Sequence, residues 1–135
     1  MTNFLEQPTT RLLGASGIQS SPLAWGMWRF KGTDLRAADV LVRAALDHGF
    51  SLLDTADIYG PDNGEAFGAA EELLGRVLEA APALRQRFVL ATKGGIVPGV
   101  PYDSSAGYLI RACEASLRRL RTETIDLYQI HRPDI

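Results

Sequence analysis

The sequence has little of what several large classes of protein require. Its 135 residues include one cysteine, Cys113, so an internal disulfide is not available. Charged residues, Gly or Pro interrupt every apolar stretch before it reaches the roughly 18–20 residues of a membrane-spanning helix. The N-terminal residues MTNFLEQPTTR lack the basic and apolar regions of a secretory signal. We therefore expect no membrane span and a cytoplasmic, reducing environment.

An excess of charge of one sign is also missing. Fourteen Lys and Arg residues face 16 acidic residues, which gives a formal net charge of -2 and a pI near 5.6. This balance gives no basic surface for nucleic acid or an anionic membrane. The sequence has no cluster of metal ligands, and Gly94-Gly95 matches neither a Walker A loop nor a dinucleotide fingerprint. We expect a small-molecule partner, with no nucleic acid, membrane or metal.

The chain does contain a regular alternation of strands and helices. Apolar residues make up 46% of it and charged residues 22%, as in average globular domains. Hydrophobic spacing, caps and glycine stops predict helices at 34–48, about 65–81 and from 104 or 105 to about 121. β-Rich segments predict a hairpin strand at 11–13 and four further strands at 23–28, 50–56, 87–92 and 125–131.

Four apolar strands joined by helical segments predict a parallel α/β sheet. A closed (β/α)8 barrel needs about 250 residues, so 135 residues correspond to about half of one. We expect residues 1–135 to form a single domain, the N-terminal half of a TIM-type barrel, with a β-hairpin, strands one to four and helices one to three. An open doubly wound sheet of flavodoxin type remains the alternative.

A half-barrel would leave two strand edges unpaired. We expect these edges, and an inner face bearing Val89, Ala91 and Leu127, to be open to water. Burial of apolar surface is favourable by about 25 cal/mol per Å², so this exposure would favour association. If the polypeptide is truncated, the sequence predicts self-association or pairing with a second half-barrel.

Three polar residues occupy the carboxyl ends of successive predicted strands, where barrels carry their catalytic groups. Asp54, Lys93 and His131 are separated by 39 and 38 residues, so they stay in phase with the repeat. Neighbouring strands lie about 4.8 Å apart, which brings the three side chains to one rim of the sheet. Alternation along the strand turns Lys93 toward the barrel interior. Tyr59 follows Asp54 by five residues and reaches the same rim.

This combination suits carbonyl reduction. An ammonium close to a phenol favours the phenolate and lowers the pKa of the phenol, and a nearby carboxylate keeps the lysine charged. A neutral imidazole can donate a hydrogen bond to a carbonyl oxygen as negative charge develops there.

The same residues resemble the motifs of the aldo-keto reductase family. The resemblance covers about residues 9–135 and rests on four motifs in the right order. These are Arg11-x-Leu13-Gly14 leading to Gly26-x-Trp28, then Asp54-Thr55-Ala56-x-x-Tyr59-Gly60, Thr92-Lys93, and Ile130-His131-Arg132-Pro133-Asp134.

The resemblance implies transfer of a hydride from NADPH to an aldehyde or ketone. It assigns Tyr59 as the general acid and Lys93 as the residue that lowers the pKa of Tyr59. It also implies that Asp54 pairs with Lys93 and that His131 orients the carbonyl group.

The resemblance also implies a cofactor pocket lined by Asp54 and by the backbone around Gly26 and Met27, with Trp28 on the substrate side. Met27 stands where the family more often has Thr, so we expect a change in pocket shape. The family's other cofactor contacts come from the second half of the barrel. Two hypotheses therefore remain: an NADPH-dependent carbonyl reductase, or a catalytically incomplete half-barrel or assembly module that does not bind cofactor by itself.

The remaining polar residues have structural interpretations. Arg118, Arg119 and Arg121 lie in the last turn of the third predicted helix, where we expect a solvated face that complements the helix dipole. Cys113 is interpreted as a small core residue and His48 as a residue at the end of the first helix.

Overall fold

The computed structural model of the protein describes residues 10–134. Strands and α-helices follow one another in a simple order along this part of the chain. They are β1 (Arg11–Leu12), β2 (Gln19–Ser20), β3 (Trp25–Gly26), α1 (Leu35–Asp47), β4 (Leu52–Asp54), α2 (Ala69–Ala80), β5 (Val89–Gly94), α3 (Ala106–Leu120) and β6 (Leu127–Ile130). Two 3-10 helices, Pro61–Asn63 and Pro82–Arg87, precede α2 and β5.

The strands form an antiparallel hairpin and a parallel sheet. β1 pairs with β2, and the parallel sheet has the order β3-β4-β5-β6. Each strand of this sheet therefore lies beside the strand that precedes it in the chain. A flavodoxin-type sheet instead reverses its strand order at a switch point. The predicted fold class is confirmed: the sheet is the parallel α/β sheet of an incomplete TIM barrel, and the doubly wound alternative is wrong.

The helices cover one face of the parallel sheet and form the core with it. In α1, the Asp34 carboxylate accepts hydrogen bonds from the backbone N–H groups of Arg36 and Ala37, so the helix begins where the sequence predicts. Its buried residues recur at helical spacing and pack toward the sheet. The largest fully buried apolar side chains are Met27, Leu53, Leu74, Leu90 and Leu120.

The observed strands β3, β4 and β6 are shorter than predicted, and two further boundaries are displaced. The second helix begins at Ala69 and not near residue 65, because Gly68 has φ +82 and this left-handed conformation interrupts a right-handed helix. The third main strand begins at Val89 and extends through Gly94, because residues 82–87 form a 3-10 helix. This shift places Lys93 within the strand.

Helices α2 and α3 pack backbone to backbone at Gly75. A Cβ atom at this position would lie 2.0 Å from the carbonyl oxygen of Arg119, so only glycine fits. The close approach brings the Arg119 side chain to Glu71, whose carboxylate is fully buried, with 2.7 Å between Nε and Oε2. Arg121 pairs with Glu72 and Glu79. The predicted solvated face is therefore wrong for Arg119, whereas Arg118 and Arg121 are exposed as predicted.

The inner face of the sheet is less open than the sequence predicts. Val89 is 9% exposed and Ala91 is 1% exposed, so the expectation that both are open to water is wrong. Ala91 lies in register between Asp54 and Leu127, in the middle of the sheet. Leu127 is half-buried. Within residues 10–134, no helix is long and apolar enough to span a membrane.

Candidate active site

An ion pair between neighbouring strands lies at the centre of the site. Asp54 is the last residue of β4, and Lys93 lies near the end of β5 on the same face of the sheet. The Lys93 ammonium is 2.8 Å from Asp54 Oδ1 and 2.9 Å from the carbonyl oxygen of Thr55. Gln129, which is paired with Lys93 in the sheet, donates to the same Asp54 oxygen at 3.3 Å. Lys93 is 8% exposed, so this pair holds a buried positive charge in one place.

Tyr59 lies over this charge on the segment that follows β4. The Lys93 ammonium is 5.1 Å from the centroid of the Tyr59 ring. The next residue, Gly60, fixes the segment, because a Cβ atom there would lie 1.9 Å from the carbonyl oxygen of Ala66. The Tyr59 carbonyl group also accepts a hydrogen bond from the Ala70 N–H at 3.1 Å. The backbone that carries the Tyr59 side chain is therefore held in place.

His131 completes the group of side chains. Its ring lies edge-to-face with the Tyr59 ring, with 5.8 Å between centroids. Burial lowers the pKa of His131, and the nearby Lys93 and Arg132 lower it further, against the opposite effect of Asp54. The imidazole is therefore neutral at neutral pH. Its Nδ1 atom is buried and has no hydrogen-bond partner within the described residues.

Aromatic and polar side chains surround a cleft of about 490 Å³ above these residues. Trp28 forms one wall and is 45% exposed. Its backbone carbonyl accepts a hydrogen bond from Asn63 at 2.6 Å, which ties this wall to the segment that carries Tyr59. The cleft is lined by Trp28, Ile58, Tyr59, Asp62, Ile96, Pro101, Tyr102, His131 and Arg132.

The residues predicted to contact the cofactor have different environments. Gly26 is exposed, and a Cβ atom built there meets no atom within 4 Å. It is paired with Asp54, so its open side lies on the same face of the sheet. Met27, however, is fully buried and its side chain belongs to the hydrophobic core. The expected effect of the Met27 side chain on the pocket shape is wrong, because alternation along the chain turns this side chain away from Gly26. The contact between the backbone around Met27 and the cofactor stays a prediction.

The structure thus brings together Asp54, Tyr59, Lys93, His131 and Trp28, whereas their chemical roles remain predictions. Sequence reasoning missed two contributions to the site. The Thr55 carbonyl group gave no signal in the sequence because it is a backbone group. Gln129 had a signal: it stands two residues before His131 in the predicted strand at 125–131, so alternation places both on one face. No group of three or more potential metal ligands occurs within residues 10–134.

Several curated proteins resemble this chain over most of its length. A 6-dehydroglucose reductase of Novosphingobium aromaticivorans is 60% identical over 137 residues, covering 100% of the chain and 45% of that protein. An L-glyceraldehyde 3-phosphate reductase of Escherichia coli is 36% identical, covering 92% of the chain and 36% of that protein. The chain therefore spans less than half the length of these curated relatives.

Solved structures and a family sequence model agree with these matches. A putative aldo-keto reductase from Pseudomonas aeruginosa superposes with a TM-score of 0.75 at 35% identity, covering 91% of this chain and 46% of the other. The holo form of a Bacillus halodurans aldo-keto reductase superposes with a TM-score of 0.70 at 36% identity, covering 90% and 39%. The model of the Aldo/keto reductase family matches residues 22–135. The chain belongs to the aldo/keto reductase family.

Proposed function

We propose that this chain is the N-terminal half of an NADPH-dependent reductase that converts aldehydes or ketones to alcohols. The observation that carries the proposal is the buried Lys93–Asp54 ion pair beneath the rings of Tyr59 and His131, beside an accessible cleft. The reductase names of the relatives support the same reaction class.

The residues present fit a nicotinamide group. The space above Gly26 is open, and it adjoins the sheet face that carries the Asp54 carboxylate. Gly26, Asp54 and Gln129 would border the group on the inner side of the sheet, with Trp28 on the cleft side. When bound, this cofactor supplies a hydride to the carbonyl carbon of the substrate.

The chain's own residues supply a proton to the other end of the carbonyl group. The Tyr59 hydroxyl donates its proton to the carbonyl oxygen, which becomes the alcohol. The Lys93 ammonium, fixed by Asp54 and the Thr55 carbonyl, stabilises the phenolate that remains. Neutral His131 donates a hydrogen bond to the same substrate oxygen and orients it. Solvent in the cleft then returns a proton to Tyr59.

The cleft suits a substrate that carries hydroxyl groups beside its carbonyl group. The exposed face of Trp28 offers an apolar surface, and the polar groups of Asp62, Tyr102 and Arg132 lie around it. Proteins that bind polar small molecules combine an aromatic surface with a few polar groups in this way. Two of the relatives are named 6-dehydroglucose reductase. We therefore propose a sugar aldehyde as the substrate class.

Nucleotide binding gives a direct test in a complete barrel, meaning this chain joined to the part of the N. aromaticivorans relative that it does not cover. The complete barrel should bind NADPH and reduce an aldehyde. Gly26→Ala should weaken NADPH binding about tenfold, since a methyl group forced into a packed contact costs about 1–3 kcal/mol. Fluorescence titration of NADPH measures the dissociation constant.

Gly107→Ala is the matched control, because a Cβ atom at Gly107 meets only the end of the Arg111 side chain at 3.4 Å. It should leave NADPH binding unchanged. Equal affinities of the two alanine variants would contradict the predicted cofactor contact at Gly26. Absence of both NADPH binding and aldehyde reduction in the unsubstituted complete barrel would contradict the proposed function.

A second candidate function is an assembly module. It is favoured by the edges of the sheet, because β3 and β6 each pair on one side only within the described residues. Ile130 on β6 is also 56% exposed. Sedimentation equilibrium of the 135-residue chain should give a mass well above 14.7 kDa. A monomer at high micromolar concentration with a cooperative thermal transition would contradict this proposal.

A further inference from the structure

Three ionisable side chains are packed between the parallel sheet and helices α2 and α3, behind the candidate active site. We call Asp57, Glu71 and Arg119 the buried charged cluster. Asp57 is 1% exposed and Glu71 is fully buried. Both Glu71 oxygens have partners: Oε1 accepts from the Thr92 hydroxyl at 2.5 Å and Oε2 accepts from Arg119 Nε at 2.7 Å. The one guanidinium of the cluster is therefore committed to Glu71.

Asp57 has no comparable partner. Its Oδ1 atom is buried and accepts no hydrogen bond within the described residues. Its Oδ2 atom lies against Gly94, 3.1 Å from the position that a Cβ atom would take there. The Tyr128 hydroxyl lies 2.3 Å from the same position. A side chain at residue 94 would occupy the space that the Asp57 carboxyl group and the Tyr128 hydroxyl group fill, so glycine is needed there.

The charges of the cluster balance only when Asp57 is neutral, since two carboxyl groups share one guanidinium. Burial raises the pKa of Asp57 to about 7, and repulsion from Glu71 adds to this rise, whereas Arg119 opposes it. The groups that face Asp57 come from several elements. They are Glu71 on α2, Tyr108 and Arg119 on α3, and Tyr128 on β6, with Cys113 of α3 beside Tyr128, while Lys93 on β5 extends from the opposite face of the sheet.

Asp57 is also connected to Lys93 and to the segment that carries Tyr59. Its backbone N–H donates to the Lys93 carbonyl oxygen at 3.1 Å, which joins the segment after β4 to β5. Along the chain it lies between Asp54, which binds the Lys93 ammonium, and Tyr59. A displacement of Asp57 would therefore change the distance between the Lys93 charge and the Tyr59 ring.

We propose that Asp57 is a positioning residue of the site: as a neutral acid packed against Gly94 it fixes Lys93 relative to Tyr59, and its ionisation disturbs this arrangement. The proposal rests on the proposed function for its effect on activity. Its effect on the fold does not depend on that function.

The pH dependence of kcat/KM in the complete barrel tests the effect on activity. In the unsubstituted protein, kcat/KM should fall by up to tenfold per pH unit once Asp57 ionises above a pH of about 7. Asp57→Asn keeps a neutral side chain of similar size and should remove this fall. Asp39→Asn, at a partly exposed position of α1 where the carboxylate pairs with Arg43, should keep it. Identical pH profiles for Asp57→Asn and the unsubstituted barrel would overturn the proposal.

Stability of the 135-residue chain gives a readout that needs no activity. The folded chain keeps the Asp57 proton up to a pH of about 7, whereas the unfolded chain loses it near the ordinary aspartate pKa of 3.8. The ratio of folded to unfolded chain should therefore fall about tenfold per pH unit as the pH rises from about 4 to 7, and level off above that. Urea unfolding should show this pH-dependent loss of stability in the unsubstituted chain and in Asp39→Asn, but not in Asp57→Asn.

NMR of the unsubstituted chain covers the case in which Asp57→Asn does not fold. The Asp57 carboxyl resonance should titrate with a midpoint near 7, and the backbone amide resonances of Lys93 and Tyr59 should shift with the same midpoint. A midpoint below 5, or amide resonances that do not follow the titration, would overturn the proposal. If these results agree with expectation and the complete barrel reduces no carbonyl compound, the proposed function fails and the structural role of Asp57 stands.

Discussion

Replacing Tyr59 by Phe in the complete barrel should lower kcat for aldehyde reduction by a factor of about 10²–10⁴, the usual contribution of a general acid. The substitution removes one hydroxyl group and leaves the ring in contact with His131 and over the Lys93 ammonium. The lost group acts on the substrate oxygen and not on the cofactor. NADPH affinity should therefore stay within a factor of about two. Steady-state rates and fluorescence titration measure the two effects separately.

Tyr102→Phe is the matched control, because Tyr102 lines the same cleft and has no assigned role in proton transfer. Its kcat should stay within a few-fold of the unsubstituted value. Full turnover by Tyr59→Phe would contradict the assignment of the acid. Equal losses in both variants would mean that the hydroxyl groups shape the cleft and that neither is the specific proton donor.

The second large effect is on the stability of the fold and not on the reaction. Arg119→Met should lower the free energy of unfolding by about 3–5 kcal/mol, because it leaves the Glu71 carboxylate buried without its cation. Arg118→Met is the matched control on the same helix, since Arg118 is exposed. It should change the free energy of unfolding by less than about 0.5 kcal/mol. Urea unfolding at a fixed pH gives both values.

A double variant separates the loss of charge from the loss of packing. Glu71→Gln combined with Arg119→Met removes both charges, and the amide oxygen can still accept the hydrogen bond from Thr92. The double variant should therefore recover part of the stability that Arg119→Met loses. Similar stabilities of Arg119→Met and Arg118→Met would contradict the importance of the ion pair.

Local signals in the sequence were sufficient for the strand order and for the position of several site residues. Asp34 and Gly49 marked the ends of α1, because a carboxylate caps the first turn and a glycine adopts φ +88 after the last. The strand repeat placed Asp54 and Lys93 in register, and they form an ion pair. These features depend on short segments and on the fixed geometry of strands, which a single sequence reveals.

The features that the sequence did not reveal depend on contacts between distant segments. Arg119 looked like a surface residue, and its role depends on the close packing of α3 against Gly75. Glu71 had a local signal, since it shares a stripe of helical spacing with Leu74, Gly75 and Leu78, but its cation lies 48 residues further along the chain. The burial of the Met27 side chain in the core was not predicted, because the family resemblance locates a backbone position and does not specify which way this side chain points.

The neighbour-to-neighbour order of the parallel sheet has a consequence for folding kinetics. Because β3, β4, β5 and β6 pair in chain order, every strand joins the sheet by closing one loop over a single helical connection. The entropic cost of closing a loop grows slowly with loop length, and no strand of this sheet has to pair with a strand from a remote part of the chain. The ion pair of Asp54 and Lys93 needs only two consecutive strands and the helix between them. We therefore expect this pairing to form before β6 joins the sheet and brings His131, the residue that follows it, to the site.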